Sequence, residues 1–125
     1  MLYAFREESD LPEETALRIP CGLGAGMGRK EEVCGAVTGG ILVLGMRHGR
    51  GSKDDRSAMD LTYLKTRELM DQFAKKHGTF ICRKLLNGVE LTTEEGLKYF
   101  KENDLLKKIC VPCVQSVVGI LESIL

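Results

Sequence analysis

The sequence has no tryptophan, only two histidines and no excess of either charge, since eighteen basic and eighteen acidic residues cancel. Without a net charge, and without any run of about five or six like charges, it lacks the electrostatic footprint that nucleic acid or an anionic lipid surface attracts. A secretory leader is missing too. The opening MLYAFREESD has no basic flank, long apolar stretch or small-residue cleavage site, so a cytoplasmic location is expected. The longest apolar stretch, Val33 to Met46, is punctuated by glycines and falls short of the roughly 20 residues of a membrane span. Strand-like alternation, internal repeats and low-complexity tracts are absent, which argues against β and repeat architectures.

Two common catalytic patterns also fail. No serine, histidine and acid constellation stands out for hydrolysis. The glycine-rich stretch Cys21 to Gly28 is out of register for a dinucleotide fingerprint. Read from Gly22, Gly24 or Gly26, the last glycine position of GxGxxG falls on Met27, Arg29 or Glu31, and no buried strand precedes it. A turn that needs positive backbone torsions is the better reading, leading into the apolar segment behind it. Glu31 with Glu32 and Glu94 with Glu95 read as solvated helix starts rather than acid–base pairs.

The remaining pattern is helical. With 125 residues, 43% of them apolar, the chain can bury a core without covalent help, and an all-α, compact helical bundle around a central apolar helix is expected as a single domain over residues 1–125. A short helix is predicted over Leu11 to Arg18, with Pro12 at its first position. The central helix is predicted over Glu31 to His48, apolar on every side and therefore the most buried element. A third covers Asp54 to His77 and closes at Gly78. Phe80 to Leu86 forms a short helix or turn, and Thr92 with Glu95 makes a capping box for the next helix. An apolar helix ends the chain. His48 and His77 each precede a glycine at a helix end, where an imidazolium suits the dipole better than a metal.

Five cysteines carry the chemical signal. A cytoplasmic chain that does not need disulfides to fold uses grouped cysteines more often for catalysis, redox sensing or metal binding. The sharpest local motif is Cys110-Val-Pro-Cys113. If the last helix begins at Pro112, its dipole, with Lys107 and Lys108, lowers the pKa of Cys110 or Cys113. That thiol should then be alkylated faster than Cys34. Cys34 itself lies near the start of the central helix among Gly35, Ala36, Gly39 and Gly40, small residues that permit close approach of another backbone, and taken alone it reads first as a small packed residue, with a thiolate stabilised by free amides as the alternative.

CGAVTG at Cys34 to Gly39, preceded by GLGAGMG and followed by ILVLG, resembles the CGAxxG signature of the C_GCAxxG_C_C family of redox-active proteins. The resemblance continues through CRKLLNG at Cys82 to Gly88 and a late cysteine before an apolar helix, over roughly residues 20 to 125. By motif position Cys34, Cys82 and Cys110 match the second, third and fourth cysteines of the family. The family's first cysteine lies upstream of a segment like Leu2 to Leu11, which implies that an N-terminal segment is missing here, and Cys113 is an addition to the pattern. The resemblance implies a compact helical protein of redox or metal chemistry, mostly from anaerobic microbes, in which Cys34, Cys82 and Cys110 converge.

Three readings follow. In the first, Cys34, Cys82, Cys110 and Cys113 perform thiol–disulfide chemistry, as an oxidoreductase or electron-transfer protein, with an unidentified redox protein as partner and no cofactor. In this reading Cys110 or Cys113 is the reactive thiolate, with Cys34 and Cys82 as resolving partners. In the second, Cys34, Cys82 and Cys110, with Cys113 or Cys21 as a fourth ligand, hold zinc or an iron–sulfur cluster. In the third, the chain is a helical interaction domain with inert buried cysteines.

Overall fold

The glycine-punctuated apolar segment at the middle of the chain becomes the axis of the fold. In the computed structural model, which describes residues 1–125, the order begins with a 3-10 turn (Tyr3–Ser9) and α1 (Glu13–Arg18). A second short 3-10 turn (Cys21–Leu23), the one-turn segment α2 (Gly24–Met27) and α3 (Gly35–His48) follow. Next come α4 (Arg56–His77), the short α5 (Cys82–Leu85), α6 (Glu94–Glu102), a π-helical turn (Leu106–Cys110) and α7 (Val111–Ile124). The architecture is all-α, and its one β feature is an antiparallel bridge between Val33 and Ile81. No helix is long and apolar enough to cross a membrane.

Helix α3 buries half of its fourteen residues and packs against both α4 and α7. The main core joins Val37, Val43 and Leu44 of α3 to Leu69 and Phe73 of α4 and to Val117 and Leu121 of α7. α4 meets this core along one narrow stripe, and only Leu69 and Phe73 of its 22 residues are buried. Gly40 makes the close approach possible, because a Cβ there would lie 2.8 Å from Val117 Cγ1 and 2.9 Å from Leu69 Cδ2. The small-residue faces of α3 thus admit neighbouring side chains at Gly40 and loop backbone at Gly35, where Leu23 O would be 3.0 Å from a Cβ. A second, smaller cluster of Cys82, Leu86 and Leu91 packs under α6, against Leu97 and Phe100.

Several element boundaries depart from the pattern expected. α3 starts at Gly35 rather than Glu31, because Glu31 has φ 60 and cannot belong to a right-handed helix. Residues 32–34 run on without helix, and the stretch from Glu31 is bonded to the segment before and into α5: Cys34 N–H donates to Phe80 O (2.8 Å), Cys82 N–H to Glu32 O (2.6 Å) and Arg83 N–H to Glu31 O (3.0 Å). α6 is capped by Thr93, not Thr92, with the Thr93 hydroxyl accepting from Gly96 N–H at 3.0 Å. α1 begins one residue after Pro12, which serves as its N-cap, and α4 begins after Asp55, whose carboxylate accepts from Ser57 N–H at 2.8 Å.

Both histidines do stand at helix ends before glycines, but neither environment favours the imidazolium. Burial, with Lys65 and Arg47 nearby, holds His48 below the usual histidine range. Burial and Lys76 do the same at His77. The His77 ring stacks on Phe73 with centroids 4.5 Å apart and shares a hydrogen bond of 2.8 Å with Ser116 Oγ, so it fastens the end of α4 to α7.

Two glycines of α3 separate packing from propensity. A Cβ on Gly45 would meet nothing within 4 Å, so Gly45→Ala should stabilise the fold by up to about 1 kcal/mol. Gly40→Ala should destabilise it by about 1–2 kcal/mol, because overpacking against Val117 and Leu69 outweighs the helix-propensity gain. Denaturant titration of the two variants tests the opposite signs.

Candidate functional site

Four of the five thiols gather where α3, α5 and α7 meet. Cys34 is the N-cap of α3, with φ −50 and ψ 131, outside the helical region. Its thiol lies near the Ala36 and Val37 amides but makes no side-chain cap bond, and Val37 N–H donates to the Cys34 carbonyl at 2.9 Å. Cys113 lies in the first turn of α7, only 1% exposed, with its side chain beside that of Cys34. Cys82 opens α5, and Cys110 ends the π-helical turn. The charges of these thiols act on one another, so they occupy one neighbourhood despite their separation in sequence. Cys21 is exposed on the second 3-10 turn, outside this group.

The convergence rests on an unusual piece of backbone. Ala25, Gly26, Met27 and Gly28 all have φ between 53 and 69, and Arg29 and Glu31 return to the same left-handed region. The loop therefore makes the positive torsions expected of it, though α2 is in effect a left-handed turn. Gly26 is required there for two reasons. Its φ is 67, and a Cβ on it would fall 2.8 Å from the Cys82 Cβ and 2.7 Å from the Glu31 Cα. The absent side chain lets α5 bring Cys82 against the loop.

Cys34, Cys82 and Cys110 all line a cavity of about 450 Å³, whose wall is otherwise mainly apolar and includes Leu97 and Phe100 of α6. Cys113 does not reach it and sits behind Cys34. A hollow of similar volume between Gly88 and Tyr99 contains no thiol.

The four thiols ionise unequally. The hydrogen bond from Cys113 lowers the Cys34 pKa most, burial opposes it, and the Ala36 and Val37 amides lower it further, leaving it at about 6 against an ordinary 9.0. Cys113 is held protonated above the ordinary thiol range, first by its hydrogen bonding with Cys34 and then by burial and the neighbouring Cys34, Cys110 and Cys82. Cys82 is pushed up to about 11, chiefly by burial and then by Cys34, Cys110 and the carboxylate of Glu31. Burial and Cys34 also raise Cys110.

This order reverses the one expected from the Cys110-Val-Pro-Cys113 motif. Cys110 has helical torsions (φ −69, ψ −44), and Val111 N–H donates back to Leu106 O, so the chain enters α7 from a π turn and not from a free N-terminus. The wider turn accommodates Pro112, which lacks an amide and would clash with a carbonyl one α-turn earlier. Burial, and after it Cys34, sets the proton affinity of Cys110. The helix-terminus effect operates at Cys34 instead.

Glu31 also departs from the solvated position that its sequence context suggests. It is 4% exposed, its Oε1 accepts from Leu91 N–H at 2.8 Å, and its Oε2 is buried without a partner. No pattern marks it, because paired glutamates before an apolar stretch look the same whether solvated or buried. As for a metal centre, no group of three or more His, Cys, Asp or Glu side chains stands at ligating separation.

A family model described as "Putative redox-active protein (C_GCAxxG_C_C)" matches residues 1–124. The chain belongs to this family. The match extends beyond the motif-bearing part of the chain into its first twenty residues, which pack on α3 through Met1 and Leu2. No curated protein and no solved structure matches the chain.

The ionisation order has a direct readout. Iodoacetamide modification of Cys34 should rise with pH to half its maximum near pH 6 and then level off. Cys113→Ala removes the hydrogen bond that lowers the Cys34 pKa most, and should move that profile to higher pH. Peptide-resolved mass spectrometry after timed alkylation reads both, and should find Cys110 and Cys113 slower than Cys34 at mildly acidic pH.

Proposed function

We propose that this protein performs thiol–disulfide redox chemistry with Cys34 as the nucleophilic thiolate and Cys113 as the resolving thiol. The observation that carries the reading is the adjacency of the two side chains, with the Cys34 thiol pulled down to about 6 and the Cys113 thiol pushed up. A thiolate attacks a disulfide sulfur, so the reactive group must be both ionised and reachable. Cys34 is half-buried on a cavity wall, while Cys113 waits behind it.

The chemistry proceeds in two exchanges. The Cys34 sulfur bonds to one sulfur of a partner disulfide, and the other partner sulfur leaves as a thiolate that takes a proton from water. The Cys113 sulfur then attacks Cys34, its proton passing to the second departing sulfur. The protein dithiol becomes a Cys34–Cys113 disulfide, and the partner disulfide becomes two thiols. The reverse sequence restores the dithiol.

Cys82 and Cys110 take a subordinate place in this scheme. Part of what keeps them protonated is the negative charge of Cys34. Once Cys34 is bound in a disulfide that charge is gone, and both thiols ionise more readily than before. They can then serve as the next exchange pair on the same cavity wall.

Stoichiometric oxidation of the reduced protein should remove one pair of free thiols and yield a Cys34–Cys113 cross-link on non-reducing peptide mapping. Cys34→Ser should abolish it, and Cys113→Ala should leave a mixed disulfide that is not resolved. Chelator should not change the alkylation rate of Cys34, whereas a metal-ligated thiolate would be released by it. A cross-link between other cysteines, or none, would refute the assignment.

A further inference from the structure

We propose that the cavity in front of Cys34 receives a small organic disulfide with an apolar body and an anionic group. This rests on the redox role of Cys34 and adds the chemistry of what it meets. A volume of about 450 Å³ suits a small-molecule ligand and is too small for a folded partner's surface. Eleven of the sixteen residues around it are hydrophobic, so the bulk of the occupant is apolar.

The charged members of the wall are the second observation. Arg29, on the left-handed loop, and Lys101, in the last turn of α6, both line the cavity, and no acidic side chain does. Neither cation is engaged in an ion pair, although Lys98 on the same helix is paired with Glu102. Two unneutralised cations beside an apolar hollow select a carboxylate or similar anion at the rim while the apolar part enters. Cys34 on the same wall fixes where the reactive sulfur lies.

With such a ligand, the Cys34 thiolate forms a bond to one ligand sulfur and the ligand S–S bond breaks. The released half takes up a proton from water. Cys113 then forms the protein disulfide, and the other half leaves as a thiol carrying the Cys113 proton. The ligand gains the two electrons that the Cys34–Cys113 dithiol loses, and an added dithiol such as dithiothreitol resets the protein.

The test uses the full chain with the exposed thiol removed (Cys21→Ser). Its reaction with 5,5′-dithiobis(2-nitrobenzoate), an aromatic disulfide with carboxylates, is timed against neutral 4,4′-dithiodipyridine. Arg29→Gln with Lys101→Gln should slow the carboxylated reagent by about fivefold to tenfold and leave the neutral one within about twofold. 3-Phenylpropionate, which has the body and the anion but no disulfide, should slow iodoacetamide at Cys34. Acetate and 3-phenylpropanamide should not. Equal slowing of both disulfides by the charge variants, or no protection by 3-phenylpropionate, would overturn the proposal. Protection without any Cys34–Cys113 cross-link would instead refute the redox role and leave the binding site standing.

Discussion

The close approach at Gly40 governs the geometry of everything else. α3 can lie against Val117 and Leu69 only because no side chain stands between them, and this contact fixes the distance from α3 to α7. At about 1.5 Å per residue, Cys34 sits roughly 9 Å before Gly40 along α3, and Cys113 roughly 6 Å before Val117 along α7. The two thiols meet because the helices run in the same sense past that point. A methyl group at the contact would widen the gap where the sulfurs touch, although neither cysteine would have changed.

Given that spacing, the electrostatics follow from one shared proton. Two buried thiols in contact cannot both ionise without placing like charges side by side in a poorly solvated site. The one with additional donors takes the charge. Cys34 faces two amides of the first turn of α3, and Cys113 has only Cys34. The asymmetry between nucleophile and resolving thiol is thus a consequence of where each helix begins: α3 starts at Cys34, beside the amides of its own first turn, and α7 grows out of a turn already bonded.

That distinction also marks what is legible in the sequence. The all-helical fold and the buried central helix can be read from Val37, Ile41, Leu44 and their neighbours, since a segment apolar on every side has to be surrounded. The gathering of Cys34, Cys82 and Cys110 can be anticipated from the family's motifs, but not from their spacing. The reactivity of Cys110-Val-Pro-Cys113 is misleading in the sequence because Pro112 signals a helix start, and the π turn that lets a helix pass through such a proline leaves no mark in local composition. Glu31 misleads for a related reason. Its burial depends on Leu91, sixty residues later in the chain, and no local pattern encodes such a partner.

The left-handed run from Ala25 to Glu31 divides the site by mechanical stiffness. Each non-glycine residue held there costs roughly 1 kcal/mol, and Ala25, Met27, Arg29 and Glu31 all are. The restraint comes from the bonds of Glu32 to Gly26 and Cys82, of Glu31 to Arg83 and Leu91, and of Cys34 to Phe80. Strained loop and restraining segment therefore loosen together, as a unit less stable than the core. Such an opening carries Cys82 and one wall of the cavity away while helix packing keeps Cys34 beside Cys113. For a reagent too large for the cavity, access to the pair is thus tied to the stability of this corner as well as to the reactivity of sulfur.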